Sequence, residues 1–216
     1  MVDATNIDEA ITILKRSVRQ WRVPIVGRYR HDPFETLISC LLSLRTKDAT
    51  TDAASARLFR LAHTPQAMLR LPLRRIERAI YPVGFYRTKA RTILAVSQTL
   101  VERHCGRVPD NIDALLELKG VGRKTANLVV TLAFRKYGIC VDTHVHRISN
   151  RWGYVRTMSA HETETRLRER LPRRYWRTYN DLLVAFGQNL CHPTSPWCSR
   201  CPLGGLCGRV GVTRSR

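Results

Sequence analysis

Ten residues constrain this chain more than any others: Leu118-Lys119-Gly120-Val121-Gly122-Arg123-Lys124-Thr125-Ala126-Asn127. Before them, Ile112, Leu115, Leu116 and Leu118 repeat at helical spacing. Gly120 and Gly122 then break that helix, and Lys124 to Phe134 reads as a second one. The pattern is a helix–hairpin–helix. Glycines suit so sharp a hairpin because they accept positive φ and let another backbone come close. The amides of Gly120, Val121 and Gly122 are expected to face outward at a helix N-terminus, where a phosphate binds well. Lys119 and Arg123 add cations to the same turn.

Lys124 stands in the first turn of its helix, where the helix dipole and Arg123 both disfavour a cation. Two readings follow, a phosphate-binding lysine or an amine that attacks carbon. Chain geometry favours the second. A helix from Lys124 to Arg135 runs roughly 18 Å, and an extended return over Ile139 to Asp142 covers about 14 Å. Asp142, 18 residues after the lysine, is therefore able to come back close to it. An aspartate before Thr143-His144 also suits the N-cap of a new helix, and the two roles are compatible.

The charge balance narrows the partner. Lys and Arg number 37 against 17 Asp and Glu in 216 residues, a net +20, which points to a polyanion rather than a small substrate. Nucleic acid is favoured over a membrane surface: no apolar run is long enough to span a bilayer, and the N-terminus lacks the pattern of a secretion signal. An intracellular protein is expected. Four of the seven cysteines crowd near the C-terminus. Cys191, Cys198, Cys201 and Cys207 have the spacing C-x6-C-x2-C-x5-C. A zinc ribbon usually carries two C-x2-C knuckles and there is one here, so the loop suits an iron–sulfur cluster better than zinc, although spacing leaves both open. Cys40, Cys105 and Cys140 read as plain thiols.

GVGRKTAN, the aspartate of VDTH and the cysteine spacing together resemble the endonuclease III family of DNA glycosylases, over about residues 20 to 207. The resemblance implies an all-α fold with two helical domains, 23–136 bearing the hairpin and 1–22 plus 137–216 bearing a C-terminal [4Fe–4S] cluster loop, with a DNA-binding cleft between them. It implies Lys124 as the nucleophile at C1′ of a damaged nucleotide, assisted by Asp142, and His144 near the active site. Its partner is duplex DNA carrying a damaged base or an abasic site, bound by a monomer. Family members place a polar residue, usually glutamine in bacteria, where Arg45 stands here, to fill the gap left by the flipped base. An arginine suits that role, with binding of backbone phosphate as the alternative. The family's apolar wedge matches Phe85, in the turn Gly84-Phe85-Tyr86, unless that ring packs in the core. Lys119 replaces the proline common before the first hairpin glycine.

The implied reaction is removal of a damaged pyrimidine followed by β-elimination. A lysine at position 124 argues against the related adenine and thymine-mismatch glycosylases, which carry serine and tyrosine there. A monofunctional mismatch glycosylase and a non-catalytic iron–sulfur DNA-binding protein remain as alternatives.

Elsewhere the pattern predicts helices over 4–20, ended by Pro24, then Pro33–Leu44, Ala49–Ala62 with Asp48 as N-cap, 64–70 and 72–80. A long helix ends near His104, with Ile93, Leu94, Val96, Leu100 and Val101 as core. Further helices cover Thr143–Arg151 and His161–Leu171, and Asn180–Leu190 is an apolar stretch that leads into the cysteines. The Arg/Glu run of His161–Leu171 reads as a solvated face, and His146 as a surface or supporting residue.

Overall fold

The computed structural model describes residues 1–21 and 32–216; the stop expected at Pro24 lies outside them. Among the described residues the regular structure is entirely helical. The chain divides into two compact units, Ile25–Lys136 and Met1–Pro24 with Tyr137–Arg216.

The first unit holds α2 (Pro33–Ser43), α3 (Asp48–Phe59), α4 (Pro65–Leu69), α5 (Leu73–Ile80), α6 (Tyr86–His104), α7 (Ile112–Leu116) and α8 (Arg123–Leu132). Helix α2 starts where Asp32 accepts the Glu35 amide at 2.8 Å and Pro33 occupies the first turn. It is apolar nearly all round, and it packs against α3, α6 and α8 as the centre of the core. Thr64 and Asn111 cap α4 and α7 in the same way. Asp48 does not. It is the first helical residue of α3, Lys47 holds the cap position, and the Asp48 carboxylate makes no cap bond. Of the five residues expected to be core on α6, Ile93, Val96 and Leu100 are fully buried, whereas Leu94 and Val101 are half-buried.

The second unit holds α1 (Ile7–Val18), α9 (Thr143–Trp152), α10 (Ala160–Arg170) and α11 (Trp176–Asn189). Its core gathers Ile7, Ile11 and Leu14 of α1 around Trp152, Tyr154, Tyr179 and Phe186. The buried hydroxyls are satisfied: Tyr154 donates to the Arg170 carbonyl at 2.7 Å, and Tyr179 pairs with Ser149 at 3.0 Å. Burial pushes the Tyr154 phenol up to about 12. The Arg/Glu run of α10 is not wholly solvated. Glu164 is 3% exposed and paired with Arg168, because this face of the helix turns inward.

Candidate functional site

The hairpin has the expected form with one revision. Gly120 takes φ +77, and a Cβ there would lie 2.9 Å from Cγ2 of Thr92 on α6, so position 120 needs glycine on two counts. Gly122 has φ −97 and open space around it; it serves as the N-cap of α8. The Val121 amide donates to the Leu118 carbonyl at 3.0 Å and its side chain is buried. Val121 therefore closes the turn and offers no outward donor, which corrects the expectation for that residue. Lys119, Gly120 and Gly122 are exposed. Lys124, one residue into α8, is exposed too, while Thr125, Ala126 and Asn127 behind it are buried. Asn127 donates to the Arg123 carbonyl at 3.0 Å and stiffens this first turn. The Cys40 thiol, fully buried on α2, is pushed up to about 12 by burial, against the opposing pull of the Lys124 charge.

Arg45 and Phe85 stand together. Both are non-glycine residues in left-handed backbone, at φ 53 and 58. The Arg45 guanidinium lies 5.9 Å from the Phe85 ring centroid. Phe85 is 63% exposed, which rules out the core reading of that ring. The two turns are back to back: a Cβ on Gly84 would meet the Arg45 carbonyl oxygen at 2.8 Å, and the Gly84 amide donates to Thr46 Oγ1 at 3.2 Å. Beneath them sits Lys89 of α6, 9% exposed. Its ammonium donates to the Leu42 carbonyl at 2.8 Å, the Leu44 carbonyl at 2.5 Å and Thr46 Oγ1 at 3.1 Å. Burial pushes the Lys89 amine down to about 8.

In the other unit, Asp142 is the N-cap of α9. Its Oδ1 accepts the amides of His144 and Val145, each at 2.9 Å. His144 is half-buried. Its Nδ1 pairs with Arg147 at 3.1 Å, and Gly187 of α11 backs the ring so closely that a Cβ there would collide with it. Arg147 also donates to the Cys191 carbonyl at 2.8 Å. His146, half-buried, pairs with Thr163 Oγ1 at 2.7 Å, a supporting role.

Cys191, Cys198, Cys201 and Cys207 all line one apolar cavity with Trp152 and Phe186. Burial, then the charges of the other three cysteines, push Cys201 up to about 11; burial, then the charges of Cys191 and Cys198, raise Cys207. Among the described residues, no three His, Cys, Asp or Glu side chains form a group that would hold a single metal ion as they stand. Arg151, also 9% exposed, donates to the His192 and Pro193 carbonyls at 2.6 Å and lies 3.4 Å from Cys191 Sγ. Arg200 of this loop stacks over Trp197.

Residues 38–173 match the profile of the HhH-GPD superfamily base excision DNA repair proteins. The endonuclease III of Thermotoga maritima is 46% identical over 176 residues, covering 82% of this chain and 83% of that protein. The chain belongs to the endonuclease III family. The Bacillus subtilis endonuclease III is 39% identical over 186 residues, covering 86% and 84% of the two chains. A trapped covalent intermediate of endonuclease III with DNA, an estranged-adenine complex, superposes with a TM-score of 0.86 at 36% identity over 96% of both chains. A thermostable thymine-DNA glycosylase gives 0.81 at 27% identity over 96% of this chain and 98% of that one. The endonuclease III family typically binds an iron–sulfur cluster.

Lys89 is the residue that reading the sequence missed. One signal was available, since Lys89 precedes Ile93, Val96 and Leu100 on the buried stripe of α6. A lysine on an apolar stripe must find acceptors, and these lie on a distant turn.

Proposed function

We propose that this protein is a bifunctional DNA glycosylase and abasic-site lyase of base-excision repair, acting on damaged pyrimidines in duplex DNA, with Lys124 as its nucleophile. The observation that carries this reading is an exposed lysine in the first turn behind a glycine hairpin, in a chain resembling an endonuclease III trapped covalently on DNA. The protein acts inside the cell as a monomer. The target nucleotide leaves the base stack first, because C1′ is unreachable within a duplex. Arg45 fills the vacated space, and Phe85 holds the neighbouring step open. Gly120, Gly122 and Lys119 hold a backbone phosphate near the start of α8. His144 and Arg123 complete the DNA contacts.

The Lys124 amine then attacks C1′. The glycosidic bond breaks with its electron pair leaving on the base, and ring opening gives an imine between Nζ and C1′. That cationic imine acidifies the C2′ proton. Its loss expels the 3′ phosphate and cuts the strand. Asp142 serves by its charge: its Oδ1 accepts the two cap amides, and its carboxylate offsets the positive charge that develops on the sugar.

The cysteine loop fits a [4Fe–4S] cluster, since four thiols line one cavity and three of them pack on the core. Cys191, Cys198, Cys201 and Cys207 are the ligands in this reading. A bound cluster cross-links the loop and takes no part in the bond changes at the sugar. Anaerobically purified protein is expected to carry about four irons per chain. One zinc and no iron would refute the assignment.

The decisive experiment is borohydride trapping. Reduction should leave the protein covalently attached to DNA containing an oxidised pyrimidine. Lys124→Gln should bind that duplex yet give neither adduct nor nick. Asp142→Asn still caps α9, because asparagine caps as well as aspartate does. It should therefore fold normally, be trapped on a preformed abasic site, and be badly impaired in base removal. Base release by Lys124→Gln at the parent rate would end the bifunctional reading.

A further inference from the structure

We propose that Lys89 is a positioning residue that locks Arg45 and Phe85 into one preassembled probe, so that the two enter DNA together. The proposal rests on the reading of Arg45 and Phe85 as the DNA-probing pair. Each turn is closed by one backbone bond of its own, from the Thr46 amide to the Ser43 carbonyl and from the Tyr86 amide to the Val83 carbonyl, both at 3.1 Å. Each places an L-residue in left-handed backbone, a conformation that costs of order 1–3 kcal/mol and persists only where its surroundings enforce it. What ties the two turns to each other converges on one group. Lys89 Nζ takes the two carbonyls that lead into Arg45, those of Leu42 and Leu44, and also Thr46 Oγ1 just after it. Thr46 Oγ1 accepts the Gly84 amide, which passes the restraint to the turn carrying Phe85.

Lys89 also belongs to the helix that Phe85 opens, its amide donating to the Phe85 carbonyl at 3.0 Å. A single ammonium thus grips the Arg45 turn directly and the Phe85 turn through both Thr46 and its own backbone. An apolar residue of similar length would take this donor from the buried Leu42 carbonyl, leave the Leu44 carbonyl only the Thr46 hydroxyl at 3.3 Å, and free the turns to separate. The stacking of Arg45 on Phe85 would go with them. Lys89 touches no reacting atom. Its effect is to remove, before binding, the entropy otherwise lost in ordering two loops on DNA.

The test compares two substrates that share the chemistry of Lys124 but differ in their need for the probe. An oxidised pyrimidine in duplex DNA must be flipped out and its gap filled. An abasic site in single-stranded DNA has no paired strand and no base to expel. Lys89→Met is expected to slow single-turnover excision from duplex by roughly 10- to 100-fold, the loss of hydrogen bonds from one charged donor. Cleavage of the single-stranded abasic site should change less than about twofold, because no probe is required there. A 2-aminopurine beside the lesion should brighten on binding of the parent and stay quenched with the variant. Thr46→Val keeps the two lysine–carbonyl bonds but removes the hydroxyl through which Lys89 reaches the Gly84 amide, so it should show a smaller loss with the same substrate pattern. It serves as the milder variant if Lys89→Met folds poorly.

Because Lys89 acts through the pair, adding Lys89→Met to Arg45→Ala/Phe85→Ala should cost little more than that double substitution alone. Equal losses on both substrates, or unchanged duplex excision in Lys89→Met, would overturn the clamp while leaving the probe reading intact. Unchanged duplex excision in Arg45→Ala/Phe85→Ala would instead overturn the probe reading, and the clamp with it.

Discussion

The turns that carry Arg45, Phe85 and Gly120 are fastened by side chains of their own unit, whereas the segment from Cys191 onward gathers four thiols whose charged forms disfavour one another. In Ile25–Lys136, Lys89 bonds the first two turns and Thr92 packs against the third. In Cys191–Arg216 the only regular element is a 3-10 turn at Cys198–Arg200, and Leu203 is the one fully buried large side chain. What holds that segment otherwise is a set of backbone bonds, with Arg147 on the Cys191 carbonyl and Arg151 on the His192 and Pro193 carbonyls. The contrast teaches that one unit fastens its functional turns with its own atoms, while in the reading proposed above the cluster fastens the other.

Removing that group should give the largest effect. Protein stripped of iron by oxidation and chelation is expected to be cut by trypsin at the exposed Arg200 and Arg209, while the span from α2 to α8 stays intact. Digestion of both units at the same rate would break the comparison. Cys198→Ser should behave like the stripped protein and lose solubility before it loses any chemistry.

The two hairpin glycines sharpen the other side. Gly120→Ala forces a side chain into left-handed backbone and against Thr92, at a cost of about 1–3 kcal/mol in denaturant unfolding. Gly122→Ala meets no atom and no positive φ, so it should cost under about 1 kcal/mol, the difference in capping. Equal destabilisation by the two would mean that the hairpin is not held by the contact with α6.

Gly122→Asp separates stability from binding. Aspartate is a favoured N-cap and its charge suits the start of α8, so the variant should be as stable as the parent or slightly more so. The same charge repels a phosphate, and duplex affinity at low salt should fall roughly tenfold or more. Duplex binding equal to the parent's would remove the hairpin as the anchor.

The smallest effect belongs to α1 of the cysteine-bearing unit. Bonds from Arg174 at 2.5 and 2.6 Å, then from Tyr175 at 2.7 Å, hold the Asp8 carboxyl below the usual carboxylate range. A lowered pKa in the folded state stabilises above the ordinary value and is lost as pH falls through the lowered one. Asp8→Asn should therefore lower the melting temperature slightly at pH 7 and leave it unchanged near pH 2. A difference that persists unchanged to pH 2 would show that the ion pair is not its source.

How much of this was readable in the sequence depends on the reach of each signal. The glycine hairpin, the Asp142 cap, the cysteine spacing and most helix limits involve residues within a few positions of one another. Their chemistry acts through bonds that the chain forms with itself locally, so the pattern of residue types was enough. Even at this range, sequence placed Asp48 wrongly, because Lys47 and Asp48 differ only in which residue first enters the helix. The Val121 amide turned inward for a reason that glycine spacing does not carry: its side chain is drawn into the core. Glu164 looked like one charge among many until α10 turned it toward the interior. Lys89 is the clearest case. Its acceptors lie 43 to 47 residues earlier in the chain, and only the packing of α6 against α2 makes a buried lysine there a clamp. Sequence by itself determined which reactive groups this protein presents, because the hairpin lysine, the cap and the thiols are named by residue type and spacing. Tertiary structure alone decided what holds that chemistry in place, because a buried charge acquires its role from acceptors that only folding brings near.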